Sequence, residues 1–179
     1  MVVDDGDTRG RADPGECGRA QAYNLNLPKV QQEKGNWCWA ASTQAIMKYH
    51  GVTPSYSQCN LVNVALGTSN CPDQAGSFYG DIDDLYNHFG RSPGTKVAYI
   101  VNFATMKSRV DAGRPLQIRY GYKSSLLTTG HVVTVYGYSG SSTVYWLDTA
   151  TGQFVSGSYD YLYANGTWTG TNSRYNQGV

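Results

Sequence analysis

Charged residues are scarce in this chain, and neither sign dominates. Asp, Glu, Lys and Arg make up 15% of its 179 residues, and the formal net charge is +1. A typical soluble protein carries about 25% charged residues. Nucleic-acid-binding proteins neutralise phosphates with clustered Lys and Arg, so this composition argues against nucleic acid as a partner.

Large apolar side chains are also few. Leu, Ile, Val and Phe account for 33 residues, whereas 13% of the chain is aromatic and 15 residues are Tyr. Because the net charge is low, this composition does not indicate disorder, and we expect Tyr and Trp to supply much of a compact core. The length fits one domain, since domains commonly span roughly 100–200 residues.

No stretch of the chain is typical of a membrane span. Residues 124–147 lack Asp, Glu, Lys and Arg, but glycines at 130, 137 and 140 interrupt them and they alternate like β-strands. We therefore predict no membrane insertion. No apolar secretory segment follows Met1, so we expect an exported protein to have lost its signal already.

The first 22 residues differ from the rest of the chain. Eight charged residues, several glycines and a proline fall within residues 1–19, so this segment can bury little apolar surface. We predict a flexible charged leader over 1–22 and a folded domain over 23–179.

Hydrophobic periodicity changes along the domain. The pattern predicts helices over 37–50, 57–66, 81–89 and 106–111, with Asn36 and Ser57 as N-caps of the first two. Period-two alternation predicts strands over 97–101, 116–122, 131–138 and 144–147. Helices followed by strands predict an α+β fold with an antiparallel sheet, whose two halves face each other across a cleft.

Four cysteines occur, at positions 17, 38, 59 and 71. No Cys-x-x-Cys spacing is present, so we predict no metal site. A bridge between Cys59 and Cys71 would contribute about 3 kcal/mol and would indicate an oxidising compartment. Cys17 is then left free, pairs outside the chain, or exchanges with one of these two.

Cys38 is placed at the start of the best-defined predicted helix. Unpaired amides and the helix dipole stabilise an anion there, and the thiolate is the nucleophilic form of cysteine. An arbitrary cysteine is more often a buried core residue, so the assignment depends on the surrounding segment. That segment reads Gln32-Glu33-Lys34-Gly35-Asn36-Trp37-Cys38-Trp39-Ala40-Ala41.

This segment resembles the active-site segment of papain-like cysteine proteases. The family places Cys-Trp-Ala at a helix start and a Gln six residues earlier, which is the spacing between Gln32 and Cys38. The resemblance implies that the Gln32 side chain and the Cys38 N–H stabilise an oxyanion. Gln31 is the neighbouring alternative.

Ser57-Gln58-Cys59 and Gly130-His131-Val132-Val133 extend the likeness. Together they resemble the compact bacterial branch of the papain clan, which includes effector-type proteases injected by plant pathogens. Over residues 28–165 the resemblance implies a two-lobed papain-like single domain, with an N-terminal helical lobe and a C-terminal β-sheet lobe. It implies an enzyme that acts on a protein or peptide substrate. Low charge, many Tyr and Gly residues and the expected bridge favour export, so we predict a monomer that is secreted or delivered into a host cell.

Three histidines are candidates for the general base. His50 and His88 fall in the last turns of predicted helices, where a histidine commonly interacts with terminal carbonyls, so we expect structural roles for both. His131 opens a predicted strand after Gly130 at a sheet edge. We therefore predict His131 as the catalytic acid and base.

The third candidate, Asp148, follows from hairpin geometry. A two-residue turn at Ser139-Gly140 places Asp148 directly opposite His131, on the same face of the sheet. A four-residue turn shifts the partner to Ala150, and Asp148 then reaches His131 from a diagonal position. An Asp that simply begins a turn is the alternative.

These residues predict a cysteine peptidase without a cofactor. Cys38, His131, Asp148 and Gln32 form the predicted site, and an acyl-enzyme is the predicted intermediate. The alternatives are a transglutaminase, acyltransferase or deamidase with the same triad, and a non-enzymatic toxin or binding module. Seven basic residues against one acid over 91–123 are typical of a solvated surface, with a preference for acidic substrates as the alternative.

Overall fold

The structure is a computed structural model that describes residues 22–52 and 56–179. This part of the chain forms an α+β domain with five α-helices and one seven-stranded antiparallel sheet, which confirms the predicted fold class. The helices are α1 (Cys38–Tyr49), α2 (Gln58–Leu66), α3 (Asp81–His88), α4 (Phe103–Asp111) and α5 (Tyr159–Tyr163). The strands are β1 (Ala22–Asn24), β2 (Thr95–Val97), β3 (Leu116–Tyr122), β4 (Gly130–Ser139), β5 (Thr143–Asp148), β6 (Gln153–Ser158) and β7 (Trp168–Tyr175).

The sheet runs in the order β2-β7-β3-β4-β5-β6, and all paired strands are antiparallel. β1 pairs with the last residues of β4, beyond Val135, which pairs with the first residue of β3, Leu116. Because β1 begins at Ala22, the sheet includes the last residue of the predicted leader. The rest of that leader, residues 1–21, lies outside the described residues.

Helix α1 lies between two apolar cores and so joins the helical half to the sheet. Trp39 and Ile46 pack with α2 and α3, whereas Ala41 and Ala45 pack against the sheet. A buried polar contact lies at the same junction, because Ser42 Oγ is 2.7 Å from Thr134 Oγ1 on β4. Both hydroxyls are thereby satisfied, which a buried polar group requires.

The local signals at α2 agree with the structure. Ser57 caps the helix, since its Oγ accepts a hydrogen bond from the Asn60 N–H at 3.2 Å, and Gly67 ends it in the left-handed conformation. The predicted disulfide between Cys59 and Cys71 is present and ties α2 to the segment that follows it. In the described residues, no helix combines the length and the apolar character that crossing a membrane requires.

One predicted strand is largely wrong. The pattern predicts pairing over 97–101, but β2 ends at Val97. The Val101 N–H donates to the Ser173 side-chain hydroxyl on β7 instead of to a backbone carbonyl. Ile100 packs over Gly170, where a Cβ would collide with its side chain. The apolar residues after Val97 therefore pack against neighbouring side chains and do not form the backbone hydrogen bonds of a β-ladder.

The predicted register of the β4–β5 hairpin is also wrong. Ser139 pairs with Thr143, so the connection has three residues, and a bulge between Val135 and Gly137 shifts the register again. Thr134 consequently pairs with Leu147. If this register continues by one position, Asp148 lies diagonal to His131. This is the arrangement that the alternative with a four-residue turn predicted.

Candidate active site

Cys38 is the first residue of α1 and lines a cleft of about 370 Å³. Its side chain is half-buried, and it is the one unbridged cysteine among the described residues. Trp37 occupies the N-cap position without a side-chain cap hydrogen bond, so the prediction of Asn36 as N-cap is wrong. The first amides of the helix therefore remain available near the Cys38 thiol.

Asn36 instead binds the segment that follows the disulfide. Its backbone N–H donates to Asp73 Oδ1 at 2.8 Å, and its side-chain amide donates to the Asp73 carbonyl at 3.2 Å. The Trp37 and Trp39 indoles donate to the carbonyls of residues 72 and 74, at 2.9 and 3.2 Å. Together with the disulfide, these bonds hold the segment after Cys71, which forms one wall of the cleft, against the residues around Cys38.

His131 lies across the same cleft, at the start of β4. Its Nε2 is 2.8 Å from Asp148 Oδ1, so the carboxylate orients the imidazole. The side chain is 7% exposed, and the Tyr120 ring packs beside it at 5.6 Å between ring centroids. The structure thus places Cys38 and His131, which are distant in sequence, in one cleft, with Asp148 hydrogen-bonded to His131.

The charges around His131 favour its protonated form. Burial lowers the pKa of His131, but the hydrogen bond to Asp148, the nearby Cys38 sulfur and the negative charges of both groups outweigh burial and raise it to about 9. The hydrogen bond with His131 in turn lowers the pKa of Asp148, against the opposite effect of burial. Asp148 also accepts a hydrogen bond from the Ala150 N–H at 3.0 Å, which fixes the carboxylate.

Gln32 lines the cleft, whereas Gln31 does not. The Gln32 side-chain amide donates to the Lys34 carbonyl at 3.0 Å and to the Gly35 carbonyl at 2.7 Å. The Gln31 side-chain amide donates to the Ala150 carbonyl at 3.2 Å. Of the two alternatives, Gln32 is therefore the one placed beside Cys38, with both amide hydrogens engaged by the loop that leads to α1.

The other two histidines lie outside the cleft. His88 is exposed at the end of α3, and His50 follows α1 and packs against Gly178 near the C-terminus. Burial lowers the pKa of His50, and the nearby Arg91 and Arg114 lower it further. Neither histidine shares a surface with Cys38.

Replacing Asp148 by Asn tests the electrostatic part of this arrangement. The carboxylate raises the pKa of His131, whereas an amide oxygen still accepts the hydrogen bond but brings no charge. We expect the imidazole to lose its proton at a lower pH than about 9 in Asp148→Asn. An NMR titration of the His131 ring measures this shift directly. In the exposed control Asp160→Asn the titration should match that of the unaltered protein, and an unchanged titration in Asp148→Asn contradicts the assignment.

An α+β domain that places a cysteine at a helix start opposite a histidine on a sheet has the architecture of papain-like cysteine peptidases. The chain belongs to the Peptidase_C39 like family, whose model matches residues 24–177. No curated protein matches the chain significantly. The effector-type relationship has no support among these comparisons and stays a prediction.

A solved structure shares the fold. It is the crystal structure of a double glycine motif protease from an AMS/PCAT transporter in complex with the leader peptide. The match covers 86% of this chain and 93% of that one, with a TM-score of 0.53 and 16% sequence identity. At this identity the likeness establishes the fold alone.

Proposed function

We propose that the chain is a cysteine peptidase that hydrolyses peptide bonds through Cys38, His131 and Asp148. The observation that carries the proposal is the buried His131 imidazole, which is hydrogen-bonded to Asp148 and shares a cleft with the Cys38 thiol. A protonated imidazole stabilises a neighbouring thiolate, which is the attacking species. The family supports peptidase chemistry independently of this geometry.

The proposed reaction has two stages. The Cys38 thiolate attacks the peptide carbonyl carbon, and the resulting oxyanion accepts a hydrogen bond from the Cys38 N–H. His131 donates its proton to the leaving amine as the C–N bond breaks, leaving a thioester on Cys38. His131 then takes a proton from water, which attacks the thioester carbonyl. Collapse of that second intermediate releases the carboxylic acid and restores the thiolate beside a protonated His131.

Gln32 is the proposed side-chain donor to the oxyanion. One of its N–H groups has to leave the Lys34 or Gly35 carbonyl when negative charge develops on the substrate oxygen. We expect Gln32→Ala to lower kcat by about 100-fold with KM little changed, because the lost donor acts on the transition state. Steady-state kinetics separate the two constants. Gln31→Ala is the matched control and should retain kcat, whereas a loss confined to KM in Gln32→Ala contradicts this role.

A peptide is the proposed substrate, because the neighbouring structure is a protease bound to a leader peptide. A peptide with a double-glycine motif is thus a direct first choice for an assay. The Cys59–Cys71 bridge is stable in an oxidising compartment, so we also propose that the protein is secreted. We further propose that it works as a monomer. Delivery into a host cell follows from the sequence resemblance alone.

Mass spectrometry of a peptide mixture tests the reaction type. Incubation with the protein should produce cleavage fragments, and the Cys38→Ala variant should produce none. Mass increases of about 1 Da, or crosslinked and acylated products, would instead identify a deamidase, transglutaminase or acyltransferase. Binding without any change in peptide mass would identify a non-enzymatic module.

A further inference from the structure

Arg119 lies in the cleft without a role in the proposed chemistry. It stands on β3 opposite Val132, the residue after His131, and its half-buried side chain lines the same cleft as Cys38. Arg119 therefore borders the space that a bound peptide would occupy. Its position beside the reacting groups makes its hydrogen-bond partners informative.

Those partners are neutral. Nη1 donates to the Thr171 hydroxyl at 2.7 Å, and Nη2 donates to the Leu127 and Thr128 carbonyls at 3.3 and 3.4 Å. A guanidinium has five N–H groups, so two of them have no partner within residues 22–52 and 56–179. The three bonds fix the plane of the group, and the remaining donors are free for another acceptor.

No carboxylate neutralises this charge in the described part of the chain. No Asp or Glu there lies within 4.0 Å of the Arg119 guanidinium, and none lines the cleft. The thiolate of Cys38 and the protonated His131 cancel each other in the proposed active form. The Asp148 carboxylate is hydrogen-bonded to His131, so Arg119 is the charged residue of the described cleft lining that has no charged partner. The protein around the cleft screens its charge less than bulk water does.

Arg174 shows what a structural arginine looks like in the same sheet. It is completely buried, pairs with Asp83 at 2.6 Å, and donates to the carbonyls of Pro93 and Phe78. A charge held for stability is thus matched by a carboxylate within the fold. Arg119 has no such carboxylate partner among the described residues, although hydrogen bonds to Thr171, Leu127 and Thr128 hold its guanidinium.

We infer that Arg119 is a specificity-determining residue that binds a carboxylate of the peptide substrate. A guanidinium N–H that remains free can donate to a carboxylate oxygen, and such charged hydrogen bonds are stronger than neutral ones. An acidic side chain and the free C-terminus of a peptide both present this group. The inference rests on the proposed peptidase function, because it concerns the substrate of that same cleft.

Matched peptides test this inference. In a peptide that the protein cleaves, each position around the scissile bond is occupied in turn by Glu or Gln, and the C-terminus is a free acid or an amide. We expect kcat/KM about 10- to 100-fold higher for the acid at one position. Preference for an internal Glu identifies a side-chain carboxylate, and preference for the free terminus identifies the C-terminal one. A ratio near one at every position and at the terminus overturns the inference.

Substitutions then assign the preference to one residue. Arg119→Gln should reduce the acid-to-amide ratio to near one. Arg119→Lys should keep part of it, because the positive charge remains but the planar guanidinium that holds the donors in place is lost. Arg114→Gln removes the same charge outside the cleft, where Arg114 donates to Asn176, and should keep the full ratio. An unchanged ratio in Arg119→Gln, or an equal loss in Arg114→Gln, contradicts the assignment.

Binding measurements separate this inference from the proposed function. Calorimetry with the Cys38→Ala protein needs no turnover, and the acid peptide should bind more tightly than its amide counterpart. Cleavage without a preference for the carboxylate would support the proposed peptidase activity and contradict the proposed role of Arg119. If the unaltered protein cleaves no peptide but Cys38→Ala binds the acid peptide more tightly, the carboxylate site is supported and the proposed peptidase activity is contradicted.

Discussion

Replacing Cys38 by Ala is expected to reduce peptide hydrolysis by about 10⁵-fold or more, to the limit of detection. The thiolate forms the covalent bond to the substrate, so no other group in the cleft can take over its role. Removing the nucleophile alone from a triad costs nearly as much as removing the whole triad. Initial rates of peptide cleavage at matched protein concentrations measure the effect.

The matched control is Cys17→Ala, which removes the other cysteine outside the Cys59–Cys71 bridge and should retain activity. Cys38 is half-buried at the start of α1, so alanine leaves the helix packing intact. Thermal unfolding of both variants should therefore resemble that of the unaltered protein. Full activity in Cys38→Ala, or loss only in Cys17→Ala, would remove Cys38 from the mechanism.

Replacing His131 by Ala is expected to lower kcat/KM by about 10⁴-fold. The substitution removes the cation that stabilises the thiolate and also the group that protonates the leaving amine. Because each of these effects is large by itself, the loss should exceed that for Asp148→Asn, which leaves the imidazole in place. Alkylation of Cys38 by a small thiol reagent should slow in the same variant.

His88→Ala provides the control for a lost histidine, since His88 is exposed and outside the cleft. It should keep both activity and the alkylation rate. The pH dependence adds a second test of His131. The imidazole keeps its proton below its pKa of about 9, so kcat/KM should fall as pH rises through that value. A rate that stays constant from pH 7 to 10 is incompatible with a protonated His131.

Several helices and strands could be predicted from local sequence. Ser57 and Gly67 define both ends of α2, and the alternation over 116–122 matches β3 residue for residue. These signals are local, because a side-chain cap or a half-buried strand depends on neighbours close in sequence. The start of α1 at Cys38 agrees within one residue for the same reason.

The contact between His131 and Asp148 shows where local reasoning ends. Both residues were predicted as partners, but the assumed register was wrong, because the hairpin has a three-residue connection and a bulge between Val135 and Gly137. A Cβ at Gly137 would collide with the Asn24 side chain, so β1 packs tightly at this position. A bulge beside a strand distant in sequence leaves no local signal, and the diagonal geometry could not be selected in advance.

Other parts of the site depend entirely on tertiary contacts. The wall formed by residues 72–76 has no secondary structure and is held by Asp73 and the two buried indoles of Trp37 and Trp39. Strand β7 has few apolar residues, because Arg174 and Ser173 occupy its buried positions. Hydrophobic periodicity therefore missed β7, whose Thr171 orients Arg119. The likeness to papain-like proteases pointed to Cys38 and Gln32 as candidates, but not to the residues that surround them.

Mapping the site of modification by an irreversible thiol-directed peptidase inhibitor tests the central claim most directly. The inhibitor reacts with a thiolate that is stabilised by a neighbouring histidine, so peptide mass spectrometry should find one label per chain, on Cys38. Labelling and loss of peptide cleavage should proceed at the same rate, and His131→Ala should slow the labelling strongly. Label at Cys17 with Cys38 unmodified, or full inactivation without any label on Cys38, would contradict the assignment of Cys38 and His131 as the reacting pair.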